Sequence, residues 1–125
     1  MPDGSQAGKM GWIDNTVEDA TGLRDFYKKV VGWKSEDVSM GEYSDFSMAM
    51  PATDEVVTGI CHARGSNADL NVGWLGYITV EDVEASATAC DAQGGKVLVR
   101  PRGLAGGKFC VIEDPSGATA ALYQP

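Results

Sequence analysis

VEDVEASATACDAQGGKVL, residues 80–98, repeats in outline VEDATGLRDFYKKVVGWK, residues 17–34. With the two laid together, Val17, Glu18, Asp19 and Gly32 fall on Val80, Glu81, Asp82 and Gly95, an offset of 63 residues in a chain of 125. Each copy follows an alternating apolar run, opens on acidic residues, holds a helix-length segment and closes on glycine. Two copies are too few for a solenoid, which needs at least ~3 units to bury a continuous core. A pair of half-sheets closing around a shared space is the arrangement that two copies predict.

Working outward, Met10 to Val17 alternates as a strand, with Trp12, Asp14 and Thr16 on one face and Gly11, Ile13, Asn15 and Val17 on the other. Glu18 and Asp19 suit the positive end of a helix dipole. Leu23, Phe26, Tyr27, Val30 and Val31 then recur at helical spacing until Gly32. Strands are predicted over 34–40, 42–50 and 56–63, the middle one rich in Tyr43, Phe46, Met48 and Met50. After a polar linker, residues 64–71, the second module opens with a strand over 72–80 and an Ala-rich helix over 83–93. Strands over 96–100, 107–113 and 118–124 complete it, the last two joined through Asp114-Pro115-Ser116-Gly117. The run Arg102 to Lys108 lacks the GKS or GKT ending of a phosphate loop and reads as a mobile loop or a hairpin connection. Each module is thus βαβββ. The organisation predicted is a loose terminus at 1–9, module one at 10–63, the linker at 64–71 and module two at 72–125, together one domain.

The composition narrows the function classes. With 18 acidic against 10 basic residues the chain carries a formal charge of −8, which opposes nucleic-acid binding, where Lys and Arg must replace phosphate counterions. No apolar run approaches the ~20 residues of a membrane span, and no secretory signal is visible, so a cytoplasmic protein is expected. Cys61, Cys90 and Cys110 are odd in number and show no CxxC spacing, as in reduced thiols packed as small hydrophobes.

Taken together, the doubled βαβββ order, the VED and FYKKVVGW stretch, the VEDVEAS and GGKVL stretch and the closing EDPSGATAALYQP resemble the vicinal oxygen chelate superfamily of glyoxalases, extradiol dioxygenases and bleomycin resistance proteins. GWIDNTVED, GICHARG and GWLGYITVEDV are most similar to its glyoxalase-like bacterial members. The resemblance implies an α+β fold of two βαβββ modules whose curved mixed sheets enclose a cleft for a small molecule, and a homodimer. It also implies metal ligands on the first and last strand of each module. Those four positions hold Trp12, Gly59, Leu75 and Ala121, none of which offers a side-chain donor to a divalent cation. No metal and no other cofactor is therefore expected. The single histidine, His62, lies three residues past its slot and turns by alternation to the far face, unless a β-bulge rotates it inward.

If those four positions face the cleft, period-two alternation brings Asp14, Cys61, Tyr77 and Tyr123 to face it too. Asp14 is the sharpest candidate, because a carboxylate within an apolar strand must be hydrogen-bonded, wet or functional; it could serve as a general base or anchor a donor group. Its alternative is a solvated sheet edge. Cys61 as a nucleophile would need activation by His62 or Arg64, yet strand neighbours point oppositely, so packing suits it better. Tyr77 and Tyr123 can donate hydrogen bonds to a ligand or to backbone. Trp12, Trp74, Phe46 and Phe109 can stack on a planar ligand or fill the core. Two functions follow: a metal-independent, lyase-like enzyme centred on Asp14, or a non-catalytic protein that sequesters a cationic or aromatic ligand. Asp14, Trp12, Cys61, Tyr77, Phe109, Tyr123 and His62 are the candidate site residues.

Overall fold

The acidic residues that open the two repeated stretches are helix caps. Asp19 accepts the Gly22 backbone N–H at 2.9 Å and Asp82 that of Ala85 at 3.1 Å, satisfying donors that the first turn leaves open. The computed structural model describes residues 6–70 and 72–125; residues 1–5 of the expected loose terminus and Asn71 of the linker lie outside the described residues. The first module consists of β1 (Met10–Val17), α1 (Ala20–Val30), β2 (Lys34–Ser39), β3 (Ser44–Ala49) and β4 (Val56–His62). The second consists of β5 (Gly73–Thr79), α2 (Val83–Ala92), β6 (Lys96–Leu104), β7 (Gly107–Glu113) and β8 (Thr119–Gln124). The fold is α+β, with βαβββ written twice.

Contacts divide the chain into two compact units, Ile13–Trp74 and Leu75–Pro125, the latter together with the described residues up to Trp12. In the first unit the strand order is β2-β3-β4-β1, with β1 parallel to β4 and the other pairs antiparallel, a mixed sheet. Its helix face buries Ala20, Phe46, Met48 and Ile60 against Val17, Leu23, Tyr27 and Trp33. Fully burying each large member of that set stabilises the fold by roughly 1.5–3 kcal/mol. Period two then assigns Asp14, Thr16, Asp45, Ser47, Gly59 and Cys61 to the opposite, helix-free face.

The second unit repeats the pattern in the order β5-β8-β7-β6, with β5 parallel to β8. Val83, Ala87, Cys110 and Leu122 form its helix-side core with Ile78, Val80, Val97 and Ile112. Its other face carries Leu75, Tyr77, Phe109, Val111 and Ala121, all buried. Gly8 donates to the Thr79 carbonyl at 2.7 Å and Thr79 donates to that of Lys9 at 2.8 Å, so backbone pairing begins before Met10.

The run from Arg102 to Lys108 is a hairpin. β6 continues past Pro101, Leu104 pairs with Gly107, and the two-residue turn between them, Ala105 at φ 50° and Gly106 at φ 83°, matches the twist of the flanking strands. Among the described residues no helix is long and apolar enough to cross a membrane.

Candidate functional site

Three of the helix-free positions of the first unit meet around a residue with no side chain. Asp14 pairs with Gly59 and Thr16 with Cys61 across the parallel strands β1 and β4. A Cβ built on Gly59 would lie 3.8 Å from Asp14 Cβ and 3.8 Å from Cys61 Sγ. Gly59 thus leaves a notch between a carboxylate and a thiol, and nothing in its backbone demands glycine, since its φ is not among the positive values. Asp45, buried on β3, completes the group: its Oδ1 accepts the His62 backbone N–H at 2.8 Å, and its carboxylate is hydrogen-bonded to the Cys61 thiol.

The Cys61 thiol reports the field of this site. Its pKa is pushed up to about 12, first by burial, then by the negative charges of Asp45 and Asp14 and the hydrogen bond to Asp45, against a smaller opposing hydrogen bond from Thr16. A thiol so held stays neutral at physiological pH and is no nucleophile. The same carboxylates that suppress a thiolate favour a cation or a hydrogen-bond donor in the notch.

His62 turns to the helix side, as alternation predicts. Its ring lies 5.5 Å from that of Tyr43 and 5.9 Å from that of Phe46, a member of the helix-side core. Its Nδ1 lies 3.4 Å from Asp45 Oδ1 but lacks hydrogen-bond geometry there. His62 therefore holds the strand end and the Asp45 side chain, and it does not share a face with Cys61.

Tyr77, Tyr123 and Phe109 belong to the second unit and share its helix-free face, Tyr77 paired with Ala121 and Tyr123 with Phe109. Tyr77 and Phe109 are buried. The Tyr123 hydroxyl donates to the Ala105 carbonyl at 3.0 Å, inside the hairpin turn. It stands so near Gly107 that a Cβ there would come within 2.8 Å of the hydroxyl. Tyr123 is thus committed to fastening the turn, and Gly107 makes room first for the Gln124 carbonyl and then for the Tyr123 ring. Trp12, in the same unit, is 41% exposed. The structure brings Asp14 and Cys61 together, and separately Tyr77, Tyr123 and Phe109. Asp45 and Thr16 are the additions that sequence reading missed. Asp45 carries the signal that singled out Asp14, a carboxylate next to bulky apolar residues in a strand, while Thr16 lies two residues along from Asp14 on the same face.

The doubled register is the same in both halves: Asp14 opposite Gly59 and Tyr77 opposite Ala121. Residues 9–122 match the family model of the Glyoxalase/Bleomycin resistance protein/Dioxygenase superfamily. The chain belongs to that superfamily. It is 29% identical to the anthracycline biosynthesis protein DauV of Streptomyces sp. (strain C5) over 129 residues, 94% of this chain and 47% of the relative. It is 25% identical to the putative glyoxylase CFP32 of Mycobacterium bovis, covering 97% of this chain and 46% of that one. The chain thus spans about half the length of the curated relatives it matches. A methylmalonyl-CoA epimerase solved with methylmalonyl-CoA and ammonium shares the fold at a TM-score of 0.53 and 17% identity, with 94% of each chain covered. A hypothetical protein from Bacillus halodurans C-125 does so at 0.54 and 14%, again with 94% of each covered.

The superfamily's resemblance implies a metal, and the residues at its four positions do not fit one. Trp12, Gly59, Leu75 and Ala121 present no side-chain donor, and among the described residues no three His, Cys, Asp or Glu side chains gather to hold a cation. The chemistry available is that of Asp14, Asp45, Thr16 and the neutral Cys61 thiol.

Proposed function

We propose that the helix-free face of residues 13–74 binds a small organic ligand through a cationic or hydrogen-bond-donating group seated at Gly59, with Asp14 as its principal partner. The observation that carries this reading is the notch itself: a missing side chain between Asp14 and Cys61, at a place where burial first, and then the charges of Asp45 and Asp14, push the thiol up to about 12. An ammonium or N–H donor there gains a charge-assisted hydrogen bond, worth about 1.5–3 kcal/mol. An anionic group meets the same opposition as the thiolate, so the methylmalonyl-CoA of the structural neighbour is a poor guide to the ligand. DauV, named for anthracycline biosynthesis, supports an aromatic ligand class.

A second reading is favoured by the name of CFP32, a putative glyoxylase. In that reading Asp14 takes a proton from the bound ligand as a general base, with no covalent step through Cys61. One series of variants separates the two. Calorimetric titration with aromatic amines should show Asp14→Asn weakening binding about tenfold, the loss of one charge-assisted contact. Gly59→Leu, whose side chain fills the notch, should abolish binding with the circular dichroism spectrum unchanged. Binding retained in Asp14→Asn with turnover lost would select the general base. Unaltered binding in both variants, with no turnover to lose, would remove the site from consideration.

A further inference from the structure

The His62 ring is held on the helix side of the first unit with one nitrogen left unpartnered. It touches the rings of Tyr43 and Phe46, and each of these has a guanidinium over its face, Arg64 at 4.2 Å on Tyr43 and Arg24 at 4.5 Å on Phe46. His62 Nδ1 is buried and makes no hydrogen bond, although Asp45 Oδ1 lies 3.4 Å away. Both side chains are withdrawn from water, 14% and 8% exposed. A buried ring nitrogen beside a buried carboxylate is disfavoured while the ring is neutral, and becomes a charge-assisted contact once the ring is protonated. The same Asp45 carboxylate accepts the His62 backbone N–H at 2.8 Å and is hydrogen-bonded to the Cys61 thiol on the opposite face of β4. One carboxylate therefore joins a histidine on the helix side to the notch at Gly59.

We propose that His62 is a positioning residue for that notch: when protonated it draws the Asp45 carboxylate to itself, lowers the negative charge available at Gly59, and so releases a bound cation on acidification from pH 8 to pH 5. The inference rests on the reading of the Gly59 notch as a cation site. The groups packed around the ring leave His62 as the one that switches. From α1 comes Arg24, already paired with Asp25 at 2.9 Å, and from the segment after β4 comes Arg64. The other neighbours are Tyr43 and Asp45, while β1 offers Val17 opposite His62 and β2 offers Val38 opposite Asp45, neither with a charge. Arginine, tyrosine and aspartate are side-chain types that keep one charge state between pH 5 and 8, whereas histidine changes its own there. The Cys61 thiol, pushed up to about 12, stays neutral throughout.

Two titrations test the proposal, the first without ligand. In the unmutated protein, NMR from pH 8 to pH 5 should show the Cys61 Cβ resonance moving in step with the imidazole of His62, the single histidine of the chain. That movement should vanish in Asp45→Asn. A Cys61 resonance that stays in place, or an imidazole that does not titrate in this window, would overturn the relay whether or not anything binds at Gly59. In the second, calorimetry with 2-phenylethylamine, an alkylamine that stays protonated over the range, should give a Kd that rises about fivefold from pH 8 to pH 5. His62→Gln keeps a polar side chain without a titrating charge, so it should flatten that dependence and leave the Kd at pH 8 within about twofold of the unmutated value. A dependence that survives in His62→Gln would overturn the assignment. An amine that does not bind at pH 8 would overturn the notch reading and the release with it, and the ligand-free titration would still decide the His62–Asp45–Cys61 relay.

Discussion

Asp14 and Asp45 act on Cys61 from neighbouring strands, and the consequence is measurable in stability as well as reactivity. Burial, and after it these two charges, pushes the folded thiol up to about 12 from an ordinary 9.0, so the folded state keeps its proton where the unfolded chain has lost it. That contribution is fully present below about pH 9 and is lost as the pH rises toward 12. Urea unfolding of the wild type should therefore show stability falling more steeply through that alkaline window than in Cys61→Ser, and Cys61 should resist alkylation near pH 8 while the unfolded chain reacts. A thiol that alkylates freely in the folded protein would contradict the burial that raises it. Asp14 was legible in the sequence because a carboxylate interrupts an apolar alternating run. Asp45 carries the same local signal, beside Phe46, but only the pairing of β3 with β4 shows that it is buried against His62 and Cys61.

At the level of elements, the strongest local signals were the acidic openings of the two helices, and both act as caps. Each carboxylate is exposed, so its replacement removes a hydrogen bond without opening a core. Asp19→Ala and Asp82→Ala should each cost about 1 kcal/mol, seen as a lower urea midpoint with an unchanged slope. A loss near zero in both would mean that tertiary packing alone places the helices. The hairpin between β6 and β7 was harder to read. Pro101 and three glycines within 102–108 have loop composition, and the decision rests on Ala105 and Gly106 both taking positive φ, a backbone property that composition does not carry. Gly107 adds a constraint invisible in sequence, the close approach of the Gln124 carbonyl and of Tyr123.

Over the whole molecule, the repeat read from VED and glycine returns as register, Asp14 with Gly59 and Tyr77 with Ala121. Duplication therefore made the fold legible, because hydrophobic period and caps recur where the two modules must repeat. The site was legible only in part, because the two halves have diverged at the matched positions, one toward a carboxylate beside a notch and the other toward a buried tyrosine. The most direct test of the carboxylate notch is an amide NMR titration of the unmutated protein with a panel of aromatic amines and matched aromatic acids. Amine-induced shifts gathered at Asp14, Thr16, Asp45, Gly59 and Cys61, with the acids silent there, are the predicted result. Shifts confined to other residues, or acids binding at Gly59 as well as amines, would contradict it.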